Sequence, residues 1–112
     1  MLAPGRRSDP VLVQEVFDMV GRMSPAIYAA QTRALLGRPD ATGVLRGVAC
    51  PALVLCGLQD GWSPPERHLR MAELLPRPPL LRLVDDCGHM SMMEQPDAVL
   101  EAMRAWLGEG GQ

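Results

Sequence analysis

The chain contains no lysine, no long apolar run and no basic stripe, and each absence excludes a class of protein. Its 11 basic residues are all arginine, they stand singly or in pairs, and the net charge is −2. This pattern offers no electrostatic basis for binding nucleic acid. No apolar run approaches the roughly 20 residues that a helix needs to cross a bilayer. We therefore expect a soluble protein with neither a nucleic-acid partner nor a membrane partner.

The sequence also indicates neither a secretory signal nor a disulfide framework. The first residues include two arginines, but no apolar segment follows them before Asp9, so a signal peptide is not indicated. Cys50, Cys56 and Cys87 are an odd number of cysteines, which favours reduced thiols and a cytoplasmic location. Cys56 and Cys87 each precede a glycine at the end of a predicted strand. Their sulfurs would be neighbours if those strands pair, although buried free cysteines are commonly small core residues.

Proline marks the helix starts, because it suits the first helical position and a short polar side chain suits the cap before it. Asp9 and Ser24 both stand directly before a proline. The spacing of apolar residues predicts one helix that ends at Gly21 and a second that ends at Gly37. Residues 1–48 are therefore predicted to form a helical segment.

Residues 49–112 have a different pattern, which predicts strand, helix, strand and helix. A continuous apolar run after a proline, as at 52–56, is typical of a strand covered on both faces. Ser63 and Glu66 form an S-x-x-E capping box, which predicts the start of a helix. The predicted elements are a strand at 52–56, a helix that ends before Pro76, a strand at 80–84 and a helix from Pro96 to Gly108. A strand, a crossover helix and a strand in this order form a right-handed parallel unit, so the fold class is α/β with two parallel strands.

Asp60 and His89 each follow a predicted strand. Ligands of parallel sheets collect at the carboxyl ends of the strands, so these two residues are candidate site residues. The alternative is that neither residue has a functional role. Asp60 would then be an ordinary turn residue, and His89 a histidine at a strand end whose ring nitrogens are hydrogen-bonded. Neighbouring side chains could form an apolar pocket wall, although the methionines among them also suit a core. These pocket candidates are Trp62, Met90, Met92 and Met93.

Two motifs surround this pair. The sequence reads P-x-L-V-x-x-G-x-x-D-x-x-x-P at 51–64, and G-H followed by E-x-P at 88–96. Together they resemble the C-terminal part of an α/β-hydrolase of the esterase, lactonase and C–C hydrolase type. The matching residues are Pro51, Leu53, Val54, Gly57, Asp60, Pro64, Gly88, His89, Glu94 and Pro96. The resemblance covers roughly 40–107, and the helices of 1–48 are similar to the end of the family's lid region.

The resemblance implies that Asp60 holds the imidazole of His89 in one tautomer, while His89 acts as general base and then general acid toward a serine. The family carries that serine in a G-x-S-x-G turn, which the sequence does not contain. Ser24 and Ser63 are predicted helix caps. Ser91 does not stand in the kind of strained turn that activates the family's serine. We therefore expect a truncated α/β-hydrolase-like unit with the acid and the base but no nucleophile, nearly inactive alone.

Two apolar parallel strands leave an open sheet edge, which invites pairing. We expect either a homodimer, formed by edge pairing or helix exchange, or docking with a chain that carries the N-terminal hydrolase half. The main alternative function is a non-catalytic dimeric or partner-binding module on a hydrolase-derived scaffold. A third is a dyad enzyme that abstracts a proton without covalent catalysis. No cofactor is expected, and the possible metal ligands have no recognised spacing. These are Asp85, Asp86, Cys87 and His89.

Overall fold

Caps and prolines set the helices of the first 48 residues. The computed structural model describes residues 1–110. Its first elements are a 3-10 turn at Pro4–Arg6, α1 at Pro10–Gly21, α2 at Pro25–Leu36 and α3 at Thr42–Arg46. Oδ1 of Asp9 accepts from the amides of Val11 and Leu12 at 3.1 and 3.2 Å, and Oγ of Ser24 accepts from the amide of Ile27 at 3.1 Å. Both predicted caps are confirmed.

A strand, helix, strand unit with two further helices forms the rest of the chain. The elements are β1 at Leu53–Gly57, α4 at Pro65–Leu74, β2 at Leu80–Val84, α5 at Ser91–Glu94 and α6 at Pro96–Gly110. β1 and β2 are parallel, and their register runs from Leu53 opposite Leu80 to Gly57 opposite Val84. The predicted fold class is therefore confirmed. The sequence did not predict the short α5, and α6 continues past Gly108.

The start of α4 differs from the predicted capping box. The helix begins at Pro65 with Pro64 at its N-cap position, and no side chain caps it. The physical reason is Asp60, whose Oδ1 accepts from the amides of Trp62 and Ser63 at 2.9 and 3.0 Å. These bonds commit Ser63 to the turn after β1. The prediction that Ser63 caps the crossover helix is therefore wrong.

The core lies where helices cover the sheet: α4 packs against β1, and α6 packs against both strands. The buried apolar residues are Ala3, Leu12, Cys56, Val84, Cys87 and Ala102. The accessible surface is 7752 Å², whereas a compact protein of this mass exposes about 6,100 Å². The radius of gyration is 16.0 Å, against about 13 Å for a compact chain of this length. The chain therefore exposes about 1,700 Å² more than a compact globule would.

The first three residues lie against the turn that carries His89. The carbonyl of Met1 accepts from the amide of His89 at 2.7 Å, and Ala3 is fully buried. A Cβ at Gly88 would lie 2.5 Å from the Met1 oxygen and 2.7 Å from the Ala3 nitrogen, closer than real Cβ atoms approach. Only glycine therefore fits beside His89 without displacing the N-terminal segment.

Candidate active site

The side chains of Asp60 and His89 meet at the carboxyl ends of the two strands. Parallel pairing of β1 and β2 places both ends at one edge of the sheet, and each residue lies in the loop that follows its strand. Oδ2 of Asp60 is 3.0 Å from Nδ1 of His89. The structure therefore brings together the two residues that the sequence singled out as the catalytic pair.

The surroundings of Asp60 favour its ionised form. The residue is only 7% exposed, and burial by itself would raise the pKa of its carboxyl. Hydrogen bonds from the Ser63 amide, the His89 ring and the Trp62 amide more than offset that effect, so the pKa lies below its ordinary value. An ionised carboxylate can only accept hydrogen bonds, so Nδ1 of His89 is the donor. In the neutral ring, Nε2 then carries no proton.

The other side of the imidazole is accessible. The His89 side chain is 40% exposed, and the Trp62 ring lies beside it with a centroid separation of 5.1 Å and an angle of 46° between the planes. Within residues 1–110, no protein atom forms a hydrogen bond with Nε2. An unprotonated ring nitrogen that is accessible and held from behind by a carboxylate has the geometry of a general base.

The methionines predicted as pocket wall lie around α5. Met90 immediately precedes α5, and Met92 is 66% exposed. Met93 lines a shallow cavity of about 360 Å³. The other residues that line this cavity are Glu15, Asp18, Met19 and Arg22, all on α1. Of the four pocket candidates, Trp62 is the one for which the structure gives a contact with the His89 ring.

Glu94 is a buried carboxylate near His89 that the sequence reasoning did not place in the site. It is 1% exposed. Oε1 accepts from the amides of Ala3 and Gly88 at 2.7 and 2.9 Å, and Oε2 accepts from the amide of Met90 at 2.9 Å. The E-x-P match after the Gly-His pair was the only signal that pointed to this residue. Both amides that flank His89 in sequence are therefore bound to one side chain.

The thiols near the site are poor nucleophiles. Cys56 and Cys87 are buried and free, whereas Cys50 is exposed. Burial, followed by nearby carboxylates, raises the pKa of the Cys56 and Cys87 thiols to about 11. Both are therefore protonated at neutral pH, and the reactive form of cysteine is the thiolate.

None of the serines that the sequence offered contacts the imidazole. Ser24 caps α2, the amide of Ser63 is bound to Asp60, and Ser91 is the first residue of α5. In the part of the chain that the structure describes, no serine hydroxyl forms a hydrogen bond with His89.

Polar groups of the chain hold the loop after β2. Oδ1 of Asp85 accepts from Nε2 of Gln59 at 2.9 Å, and Oε1 of Gln59 accepts from the amide of Cys87 at 2.9 Å.

Among the residues described, no group of three or more His, Cys, Asp or Glu side chains is placed to hold a metal ion. Over the same residues, no helix combines the length and the apolar character needed to cross a membrane.

A parallel α/β unit with an acid and a histidine after successive strands is the architecture of the C-terminal part of an α/β-hydrolase. The sequence profile of the alpha/beta hydrolase family matches residues 2–102. The chain belongs to this family, which confirms the resemblance seen in the motifs. No curated protein sequence matches the chain.

Similar solved structures include two hydrolases. A thermophilic esterase from Thermogutta terrifontis has a TM-score of 0.86 and 35% sequence identity, over 95% of this chain and 39% of its own. MGS-MChE2, an alpha/beta hydrolase enzyme from the metagenome of lagoon sediments of Mar Chica, Morocco, has a TM-score of 0.67 and 29% identity, over 87% of this chain and 44% of its own. The chain therefore spans less than half the length of either protein.

Proposed function

We propose that this chain supplies the acid and the base of an ester-hydrolysing site, and that a serine on residues outside these 112 completes it. The observation that supports this most directly is the 3.0 Å contact between Oδ2 of Asp60 and Nδ1 of His89. It leaves Nε2 as the basic nitrogen. Similarity to the Thermogutta terrifontis esterase favours an ester over the lactone or C–C bond that the family resemblance also allows.

In the proposed reaction, Nε2 of His89 takes the proton of the serine hydroxyl while the serine oxygen bonds to the ester carbonyl carbon. Asp60 stabilises the imidazolium that forms. The imidazolium then gives its proton to the leaving alcohol as the ester C–O bond breaks, which leaves an acyl-serine. A water molecule then gives its proton to His89 while its oxygen bonds to the acyl carbon. The bond between that carbon and the serine oxygen breaks, which releases the acid, and the imidazolium returns its proton to the serine oxygen.

Without that serine, we expect the isolated chain to be nearly inactive. Removal of the nucleophile from a comparable triad lowers kcat by about 10⁶-fold, and the remaining rate depends on an oxyanion hole. Incubation of the isolated chain with a fluorophosphonate probe should therefore give no labelled serine. A labelled peptide containing Ser24, Ser63 or Ser91 would contradict the proposal.

Excess exposed surface is the second part of the proposal, because a large uncovered surface with exposed apolar side chains favours binding of a partner. The excess of about 1,700 Å² over a compact chain is twice the roughly 800 Å² that each partner buries in a standard interface. Large apolar side chains with at least 60% exposure contribute to it. On α1, α2 and α6 these are Val11, Phe17, Tyr28, Leu36 and Leu107.

The partner that we propose is a polypeptide that supplies the rest of an α/β-hydrolase fold. The chain spans about two fifths of the similar structures. Among residues 1–110, no further strand pairs with the outer edges of β1 and β2. In the absence of that polypeptide, a second copy of the chain would cover the same surface by edge pairing or helix exchange. The free cysteines fit a reducing compartment, so we propose a cytoplasmic location.

A non-catalytic partner-binding module is the second candidate function. The same exposed apolar surface favours it, because such patches mark protein interaction sites both in enzymes and in proteins without catalytic activity. The two candidates differ in what they require of His89: the hydrolase needs its imidazole, whereas the binding module does not.

The decisive experiment is a chimera in which this chain replaces the part of the Thermogutta terrifontis esterase that it matches. We expect the chimera to hydrolyse p-nitrophenyl acetate and His89→Ala to abolish that activity. His68→Ala is the matched control, because His68 is the other histidine and lies half-buried on α4. A folded but inactive chimera, or activity that survives His89→Ala, would contradict the proposal and favour the binding module.

A further inference from the structure

We propose that Glu94 is a positioning residue, whose buried carboxylate fixes the turn that holds His89 against Asp60. The catalytic consequence rests on the proposed function of His89. The positioning itself is a property of the folded chain, so it can be measured in the absence of any activity.

The backbone amides of three successive residues in this turn all donate hydrogen bonds within the chain. The amides of Gly88 and Met90 donate to Glu94, and the amide of His89 between them donates to the Met1 carbonyl. Successive backbone N–H groups that point the same way form a concavity that binds anions. Here the carboxylate of Glu94 provides the anion. The amide of Ala3 adds a third bond, so the N-terminal segment is fastened to the same side chain.

These bonds require a carboxylate rather than a polar side chain in general. Among residues 1–110, no cationic side chain lies within ion-pair distance of Glu94, so backbone N–H groups alone compensate its buried charge. A glutamine at this position has one oxygen and one NH₂ group. The NH₂ group would face either the Met90 amide or the amides of Ala3 and Gly88, as donor against donor. Buried donors without acceptors destabilise the local structure.

Separate sets of bonds hold the turn that carries His89 and the loop that carries Asp60. Two backbone amides of its own loop already hold the carboxylate of Asp60. A Cβ at Gly57 would collide with the carbonyls of Cys87 and Gly88, so β1 and the His89 turn are in close contact. The 3.0 Å contact to Nδ1 therefore lengthens if the turn moves while Asp60 stays in place.

The variant that tests the proposal is Glu94→Gln, and Glu101→Gln is its control. Glu101 lies on α6, and its side chain is 65% exposed and 3.8 Å from Nε of Arg82. The control therefore removes the same charge and only an exposed ion pair, which contributes little to stability. In the wild-type chain, ¹⁵N NMR of the imidazole should show the neutral ring protonated at Nδ1. We expect Glu94→Gln to lose that signature and Glu101→Gln to keep it.

Hydrogen exchange gives the second readout. A glutamine leaves one of the two sets of donors without an acceptor, so either the amide of Met90 or the amides of Ala3 and Gly88 should exchange about 10- to 100-fold faster in Glu94→Gln. The amide of Leu80, which is bound to the carbonyl of Ala52 at 2.9 Å, should keep its rate. An unchanged imidazole signature would overturn the proposal. So would an equal loss of protection at Leu80, because Glu94 would then act on the whole fold.

If Glu94→Gln does not fold, exchange in the wild-type chain decides the question. Amides that share one acceptor should be released by the same local opening, so those of Ala3, Gly88 and Met90 should exchange with one opening free energy. Unrelated opening free energies would overturn the proposal. An inactive chimera combined with the expected NMR result would contradict only the proposed function, and the reverse outcome would contradict only the role of Glu94.

Discussion

Oδ2 of Asp60 is bound to the imidazole of His89 at 3.0 Å, while Oδ1 of the same carboxylate is bound to two backbone amides. Each oxygen of Asp60 therefore has a separate task. One fixes the carboxylate to its own loop, and the other sets the tautomer and the orientation of the ring. An asparagine at this position would keep the first task and change the second.

Asp60→Asn should reverse the tautomer of His89. The asparagine oxygen can still accept from the amides of Trp62 and Ser63, so its NH₂ group faces Nδ1 and donates to it. The neutral ring then carries its proton on Nε2 and cannot act as the base. In the esterase chimera, we expect kcat for p-nitrophenyl acetate to fall by about 10⁴-fold. Asp18→Asn, in an exposed carboxylate on α1, should leave kcat unchanged; an equal loss in both variants would contradict this role of Asp60.

The free energy of unfolding should fall on the acid side because of Asp60. Its folded-state pKa lies below the ordinary value of 3.8, since hydrogen bonds outweigh the opposing effect of burial. The resulting stabilisation is complete above the unfolded pKa and is lost as the pH falls through the folded pKa. Urea unfolding between about pH 5 and pH 2 should therefore show a steeper loss of stability for the wild type than for Asp60→Asn. Equal slopes would contradict the prediction.

Local signals in the sequence were sufficient to predict the fold class and the central pair. Asp9 and Ser24 cap helices through bonds to amides two or three residues away, and short-range pairs of this kind are what sequence patterns encode. Asp60 and His89 were predicted because each follows a strand of a parallel pair and because the motifs around them resemble those of an α/β-hydrolase.

Long-range bonds explain what the sequence did not predict. Glu94 is followed by Gln95, Pro96 and Asp97, residues that are common at a surface. Nothing near it indicates that its oxygen binds the amide of Ala3, 91 residues away. Ser63 matched a capping box, yet the buried carboxylate of Asp60 competes for its amide. In both cases a buried carboxylate decided the local structure, and its burial is a property of the folded chain.

Gly88→Ala should destabilise the chain and detach its N-terminal segment. The added Cβ would lie 2.5 Å from the carbonyl of Met1, which accepts the His89 amide, so one of the two must move. We expect a loss of about 1–3 kcal/mol in the free energy of unfolding and faster exchange of the His89 amide. Gly61→Ala is the control, because a Cβ at that position has no neighbour within 4 Å. Equal stability of the two variants would contradict this packing.

One thiol of the folded chain should react rapidly with Ellman's reagent. Cys50 is exposed, whereas Cys56 and Cys87 are buried, and burial raises the pKa of these two thiols to about 11. Thiolates are the reactive species, so we expect the two buried thiols to react after denaturation. Cys50→Ser should remove the rapid phase and leave the slow one. A rapid phase that persists in Cys50→Ser would show that the Cys56 or Cys87 thiol is accessible.

The isolated chain should self-associate at micromolar concentration through its exposed apolar side chains. Phe17 on α1 is 69% exposed, and large exposed apolar patches of this kind promote association. Light scattering should give a mass above that of a monomer for the wild type, and Phe17→Glu should lower it with little change in the urea midpoint, as expected for a surface substitution. Leu12→Glu is the contrasting control, because Leu12 is 3% exposed and a buried charge there should unfold α1. A monomeric wild-type chain would contradict the need for a partner.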